Sequence, residues 1–358
     1  MNIVVAPDSY KGTFNQYEIA ATMGEALTDL GHHSILKPMS DGGDGLLTCF
    51  RNEDYEEVTI NVTGPEGQTV EASYCRNGQA AVIETAEACG LHLVGSSHPG
   101  DRTSFGIGEL ILDAVDGGAQ HIILGLGGSA TDDGGYGMLL ALGGAAVDTS
   151  GMPVGVFTHD IEHVDEISLK SLQPLEGVKL TIASDVTHPL FGVRGATRAF
   201  GPQKGVQESE FAFFESLLSH LFDKTSDVFQ DDFSDCCGAG AAGGLGWMLM
   251  NLGAEMKPGG ILVAEMIHLE DAIMKADMVI TGEGKTDASS VHGKVPATVA
   301  QLADRHQKPC HLISGQITDA DTRAFASVHP LCDGSCKIED IIEETPRLIR
   351  QKIQHIVT

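Results

Sequence analysis

The sequence predicts an α/β protein of two domains, and three observations carry that reading. Short β-branched runs alternate with helical patterns near both ends of the chain. A hairpin-like stretch between positions 58 and 84 interrupts that alternation. The length of 358 residues exceeds what a single core ordinarily spans, so two domains suit it.

The first unit is the clearest. Residues 3–6 (IVVA) read as a short buried strand and residues 7–12 (PDSYKG) as its outgoing loop. Asn15 with Glu18 three residues on is a capping-box pattern. Ile19, Met23, Leu27 and Leu30 then recur on one helical face, and Gly31 ends the helix. Residues 35–36 are a second strand, with SDGGDG (40–45) following. Residues 58–62, 70–74 and 80–83 alternate or run apolar, separated by GPEG and by Asn77-Gly78. Those turns predict antiparallel hairpins and the entrance to the second domain.

Strand-like runs recur later, each leading into a polar loop. Residues 122–124 lead to GLGGSATDDGGYG (125–137), 180–183 to SDVTHP, 278–280 to TGEGKTD, and 311–313 to SGQ. Ligands of open α/β sheets bind beyond the carboxyl ends of strands. Polar loops gathered at those ends therefore predict a shared cleft. Helices are expected at 104–115, 208–221, 239–251, 261–274, 296–305 and 338–356, the last packing back on the first unit. Trp247 reads as core.

Composition narrows the function. The formal net charge is −28, which argues against nucleic-acid or anionic-membrane partners. Several of the few cations (Lys11, Arg194, Arg198, Lys204, Lys285, Lys294) lie in or beside glycine-rich loops, as an acidic protein that binds an anion requires. No apolar run reaches the roughly 18 residues of a membrane span. The start MNIVVAPD lacks the basic segment of a signal peptide, so a cytoplasmic location is expected. The 8 cysteines show no CxxC pair and read as reduced structural thiols. His329, Cys332 and Cys336 have only a loosely metal-like spacing.

The glycine-rich stretch at 125–137 reads first as a phosphate or nucleotide site, because backbone N–H groups approach an anion where side chains are absent. Gly125, Gly127 and Ala130 also match the dinucleotide fingerprint, with Asp148 at the distance of a ribose-binding acid. That alternative makes the chain an NAD-dependent oxidoreductase of a small hydroxy acid. Against it, Thr131-Asp132-Asp133-Gly134-Gly135 is poor helix interior, so the helix is expected to start near Tyr136. Gly284-Lys285-Thr286 resembles the tail of a Walker loop, but position 279 is Val279 rather than glycine. Asp44 reads equally well as a helix cap or a ligand. His188 reads as a local hydrogen-bond partner, and His292 as structural.

Taken together, IVVAPDSYKG, PMSDGGDG, GLGGSATDDGG, ASDVTHPLFGVRGATRAFGPQKG and TGEGKTDASSVHGKVP resemble the bacterial type-1 glycerate kinase family in order and spacing. Asp44, Asp132, His188, Lys285-Thr286 and Ala288-Ser289 depart from the family's usual residues. The resemblance implies a Rossmann-like parallel-sheet domain (1–60 plus 290–358) with a mixed α/β domain (61–289) inserted into it and a cleft between them. It implies ATP-dependent phosphorylation of D-glycerate to 2-phospho-D-glycerate, with Mg²⁺. A non-catalytic nucleotide and hydroxy-acid sensor is the remaining alternative, and a homodimer is compatible with the reading.

Phosphoryl transfer asks for positioning and charge neutralisation. On that basis Asp185, Lys11 and Asp287 are the expected catalytic residues, Asp185 orienting or deprotonating the hydroxyl. Gly127, Gly128, Ser129, Thr131, Lys204 and Lys294 are expected around the nucleotide. Asp8, Ser9, Arg194 and Arg198 are expected on the substrate, the arginines as forks for its carboxylate. Asp41 and Asp44 are the expected metal ligands.

Overall fold

The structure, a computed structural model, describes residues 1–51, 53–172, 175–287, 294–332, 334 and 338–358. Its strands in chain order are β1 (Asn2–Pro7), β2 (His33–Leu36), β3 (Glu56–Thr63), β4 (Thr69–Asn77), β5 (Ala80–Glu84), β6 (His121–Gly125), β7 (Ala145–Val147), β8 (Glu166–Ser168), β9 (Lys179–Ala183), β10 (Glu255–Lys257), β11 (Met278–Thr286), β12 (Cys310–Ile317) and β13 (Ser327–Pro330). They divide between two compact units. The first comprises Met1–Asp41, Gly45–Asp54 and Pro258–Thr358, and the second Gly42–Asp44 and Tyr55–Lys257. The second unit is thus inserted into the first. The chain returns to the first unit at Pro258, whereas the sequence reading draws the return at 290. The reason is β11, which completes the first sheet with residues before that boundary.

The first unit holds a five-stranded sheet in the order β13-β12-β11-β1-β2. Every pairing in it is parallel. The capping box forms as expected: Glu18 N–H donates to Asn15 Oδ1 at 2.9 Å and Asn15 N–H to Glu18 Oε2 at 2.9 Å. The helix it starts, Gln16–Asp29, buries Ile19, Met23 and Leu27. These meet Ile3 and Val5 of β1 and Ile349 and Ile353 of the last helix in one core. Arg350 joins those two helices at the surface, to Glu25 at 2.7 Å and Asp29 at 3.1 Å. The last helix does pack back on the first unit, but it spans Thr345–Val357 rather than 338–356. Pro346 fits its first turn, where no N–H is needed.

The second unit holds a mixed sheet in the order β10-β9-β6-β5-β4-β3. β3, β4 and β5 form the antiparallel hairpins read from the turns. β5 then pairs parallel with β6, β6 with β9, and β9 with β10. Helix Phe105–Asp116 buries Ile107, Leu110 and Ile111 against this sheet, and Trp247 is 1% exposed in the same core. Two expected helices are interrupted. The 239–251 stretch is regular only over Leu245–Asn251, because Ala242 and Gly243 take left-handed backbone (φ 52° and 70°). The 261–274 stretch is two helices, Gly259–Met266 and Leu269–Lys275, broken where His268 turns left-handed (φ 53°).

Among the described residues no helix is long and apolar enough to cross a membrane. Cys49, Cys75, Cys89, Cys236, Cys237 and Cys310 are free thiols, as expected. Cys332 corrects that expectation, for it is disulfide-bonded. Among the described residues no group of three or more histidines, cysteines or carboxylates is set to hold a metal. Cys336, His292 and Ala288-Ser289 lie outside the described residues.

Candidate active site

The strand order of the first sheet fixes where a ligand belongs. From β1 the chain passes to β2 on one side, whereas β11 leads to β12 and β13 on the other. The crevice beyond the carboxyl ends of β1 and β11 is therefore the topological switch point. A pocket of about 560 Å³ lies there, lined by Asp8, Ser9, Lys11, Asp41, Glu283, Gly284, Lys285, Asp287, Lys294 and Gln316. Six of the residues singled out in the sequence, Asp8, Ser9, Lys11, Asp41, Asp287 and Lys294, are brought together by it.

The floor of the pocket is tightly built. Asp8 N–H donates to the Gly282 carbonyl at 2.8 Å, and Met39 N–H to the Pro7 carbonyl at 2.9 Å. The Tyr10 hydroxyl, fully buried, donates to the Ile313 carbonyl at 2.9 Å. Position 282 must be glycine, because a Cβ there would overlap that carbonyl. Glu283 is 6% exposed. Its Oε1 accepts from Thr286 Oγ1 at 2.9 Å, which also lies 2.9 Å from Ser314 Oγ. Ser314 Oγ in turn reaches the Gln316 carbonyl at 2.8 Å. This chain of buried hydroxyls ties β11 to β12 under the pocket.

Acids and cations crowd this pocket. Burial first, then the Asp41 carboxylate and, more weakly, Glu283 hold the Asp8 carboxyl up, at about 8 on balance. The Ser9 N–H, 2.6 Å from Asp8 Oδ1, and the Lys11 ammonium act in the opposite direction. Such like-charge crowding is characteristic of functional sites. The donor set fits Mg²⁺, which takes only one or two carboxylates and completes its shell with water and phosphate oxygens. Asp8 and Asp41 are the residues that would hold it.

The glycine-rich loop belongs to the second unit, and much of its backbone is committed internally. Ala130 N–H donates to Cys89 at 2.7 Å, Gly134 N–H to Gly243 at 2.9 Å and Gly127 N–H to Gly42 at 3.3 Å. Asp133 accepts from Ser104 N–H (2.9 Å), Ser104 Oγ (2.7 Å), Gly135 N–H (3.0 Å) and Gly137 N–H (3.2 Å). A Cβ on Gly127 would overlap Gly43, and one on Gly128 the Asp44 carboxylate. The glycines therefore let two loops touch.

The helix begins at Tyr136, where the turn chemistry places it. Asp148 instead closes a turn, accepting from Ser150 N–H at 2.8 Å and Met152 N–H at 2.9 Å. Neither feature suits a dinucleotide fingerprint.

Three of the expected nucleotide and substrate residues, Thr131, Lys204 and Arg198, are instead taken up by burial or internal pairing. Thr131 is 0% exposed, and Lys204 is 2% exposed with its ammonium donating to the Thr131 carbonyl at 2.6 Å. Lys204 thus braces the loop from inside. Burial lowers its pKa, partly offset by Asp132, whose own carboxyl burial raises. Arg102 adds two more supports, to the Ala130 and Lys204 carbonyls at 3.2 and 2.7 Å. Ser129 is 4% exposed. Arg198 spends its fork on Glu215, at 2.7 and 2.9 Å. Arg194, Asp44 and Asp185 are exposed, Asp185 in the loop after β9. His188 packs its ring 5.0 Å from that of Phe200.

Sequence reasoning did not select Glu283, Lys285 and Gln316 as site residues. The signal was present, since all three lie within the TGEGKTD and SGQ stretches singled out in the sequence.

A family model described as the glycerate kinase family matches residues 3–358. The chain belongs to the glycerate kinase family. It is 41% identical over 328 residues to a glycerate 2-kinase of Escherichia coli K12, covering 89% of this chain and 86% of that protein. It is 37% identical to a glycerate kinase of Bacillus subtilis 168, covering 99% and 97%. A crystal structure from Salmonella typhimurium LT2, described provisionally as glycerate kinase 2, superposes with a TM-score of 0.87 at 35% identity, covering 99% and 97% of the two chains. The fold and the family thus agree over nearly the whole of this family member.

Proposed function

We propose that this glycerate kinase family member transfers the γ-phosphoryl group of ATP to D-glycerate and releases 2-phospho-D-glycerate. One observation carries the reading: the pocket at the β1/β11 switch point combines carboxylates with Lys11, Lys285 and Lys294. Phosphoryl transfer needs this pairing of groups. The lysines neutralise the transferring group and the glycerate carboxylate, the role first given to the arginines. Asp8 or Asp185 orients the acceptor hydroxyl and takes its proton, and Asp287 holds a substrate hydroxyl. A magnesium ion held by Asp8 and Asp41 would supply further charge neutralisation. The edge of the glycine loop at Gly127, Gly128 and Ser129 serves the nucleotide phosphates.

The deciding experiment is ADP release with D-glycerate as acceptor, followed by phosphorus NMR of the product. ADP formation with 2-phospho-D-glycerate as product supports the proposal. No ADP above background across a panel of small hydroxy acids overturns it, and 3-phospho-D-glycerate overturns the regiochemistry.

A further inference from the structure

One turn of the second unit plays no part in the proposed phosphoryl transfer. Cys236 and Cys237 are adjacent, free and both exposed. The free thiols at 49, 75, 89 and 310 are all buried. Adjacent side chains on a strand point to opposite faces, but these two residues sit in turns. Cys236 N–H donates to the Phe233 carbonyl at 3.0 Å, and Ala239 N–H to the Cys236 carbonyl at 3.1 Å. The next residue, Gly238, is left-handed at φ 87°.

This turn is bonded to the loop that follows β9. Leu190 N–H donates to the Ser234 carbonyl at 2.8 Å, and Gly240 N–H to the His188 carbonyl at 2.9 Å.

We propose that Cys236 and Cys237 form a vicinal dithiol site that chelates trivalent arsenicals, and that occupancy is felt in the loop at 184–190. The chemistry balances without an oxidant. Each thiol sulfur forms one bond to arsenic, and the oxide oxygen of the arsenical leaves as water with the two thiol protons. Arsenic and sulfur keep their oxidation states. Thiolates are the reacting species, and the neutral arsenical is not repelled by the acidic surface. Chelation ties the two side chains together, and the two backbone bonds carry that constraint to the neighbouring loop.

The test uses the full chain and phenylarsine oxide, read by intact-protein mass spectrometry and by hydrogen exchange. It reads no catalytic activity, so its outcome is separate from that of the kinase proposal. The expected result is one adduct per chain, removed by ethanedithiol but not by an equal concentration of a monothiol. That adduct should be lost in Cys236→Ser and in Cys237→Ser. Altered amide exchange within 184–190 should accompany it in the wild type. Absence of the adduct, or its persistence in either variant, overturns the site. An adduct with unchanged exchange in 184–190 overturns the transmission.

Discussion

The Thr286 hydroxyl lies 2.9 Å from Glu283 Oε1 and 2.9 Å from Ser314 Oγ, so one buried threonine joins the end of β11 to β12. Thr286→Val keeps the shape and deletes both contacts. A buried acceptor that loses its donor costs about 1–3 kcal/mol. Urea denaturation should show a loss in that range. With Glu283 less firmly held, kcat should fall about tenfold or more while KM for ATP stays within about twofold. Unchanged kcat in a destabilised variant would show Thr286 to be purely a fold residue.

Asp8 sets stability against function. Its folded pKa is raised to about 8 from an ordinary value of 3.8. The folded state therefore holds this proton more tightly than the unfolded chain. The sign follows: stability from this group is full below the ordinary value and is lost as pH rises toward about 8. Asp8→Asn removes that loss. It should be the more stable protein at pH 8, by on the order of 1 kcal/mol or more, and nearly inactive. Parallel urea melts at pH 6 and pH 8 check this, and equal pH slopes for both proteins would contradict it.

Lys11 and Lys204 should separate cleanly. Lys11 is exposed at the pocket. Lys11→Ala should reduce kcat/KM by roughly a hundredfold or more, as loss of a charge-stabilising group does, with its melting temperature little changed. Lys204 braces Thr131 from inside the second unit. Lys204→Ala should cost about 2–4 kcal/mol, the range for breaking a buried polar network and leaving a cavity. Circular-dichroism melts beside steady-state rates distinguish the two, and a collapse in stability for Lys11→Ala would make it structural.

Asp185 is exposed in the loop after β9, where substitution spares the core. Asp185→Asn should lower turnover by about two orders of magnitude or more if it is the proton acceptor, with nucleotide affinity nearly retained. Full turnover would remove it from the mechanism and leave Asp8 in that role.

Asp133 is the anchor of the glycine loop. Its carboxylate accepts from Ser104, Gly135 and Gly137. Asp133→Ala strands those donors and should cost about 3 kcal/mol or more. A melting temperature unchanged from wild type would contradict the assignment.

Much of this was legible in the chain because local chemistry and tertiary structure agree. The Asn15 and Glu18 cap, the Asn77-Gly78 turn and the late helix start at Tyr136 are set by a few residues each, and they form as read. So did the grouping of Asp8, Lys11, Asp41 and Asp287, because all follow parallel strands of one sheet. What failed depends on distant partners. Nothing near Lys204 says that its ammonium turns inward to Thr131, and Arg198 meets Glu215 only because two helical segments pack together. His268 broke a helix that its sequence pattern supports. The most conspicuous motif carries two uses that its sequence does not separate, since glycines that permit anion approach equally permit the close approach of another loop.

The insertion has a consequence for how the protein is made. Thr281 Oγ1 donates to the Ala6 carbonyl at 2.7 Å across 275 positions of sequence, and β1 pairs with β11 from Ile3 and Met278 onward. A ribosome emits β1 and β2 early, then the whole of the inserted unit, before β11 exists. Domains fold as units during synthesis, and long-range strand pairing waits for its partner. The inserted unit can therefore reach its native form while the β11-facing side of β1 is still an unpaired edge. The crevice between β1 and β11, with its crowded carboxylates, is completed last, so a nascent chain of this protein assembles this pocket only near the end of translation.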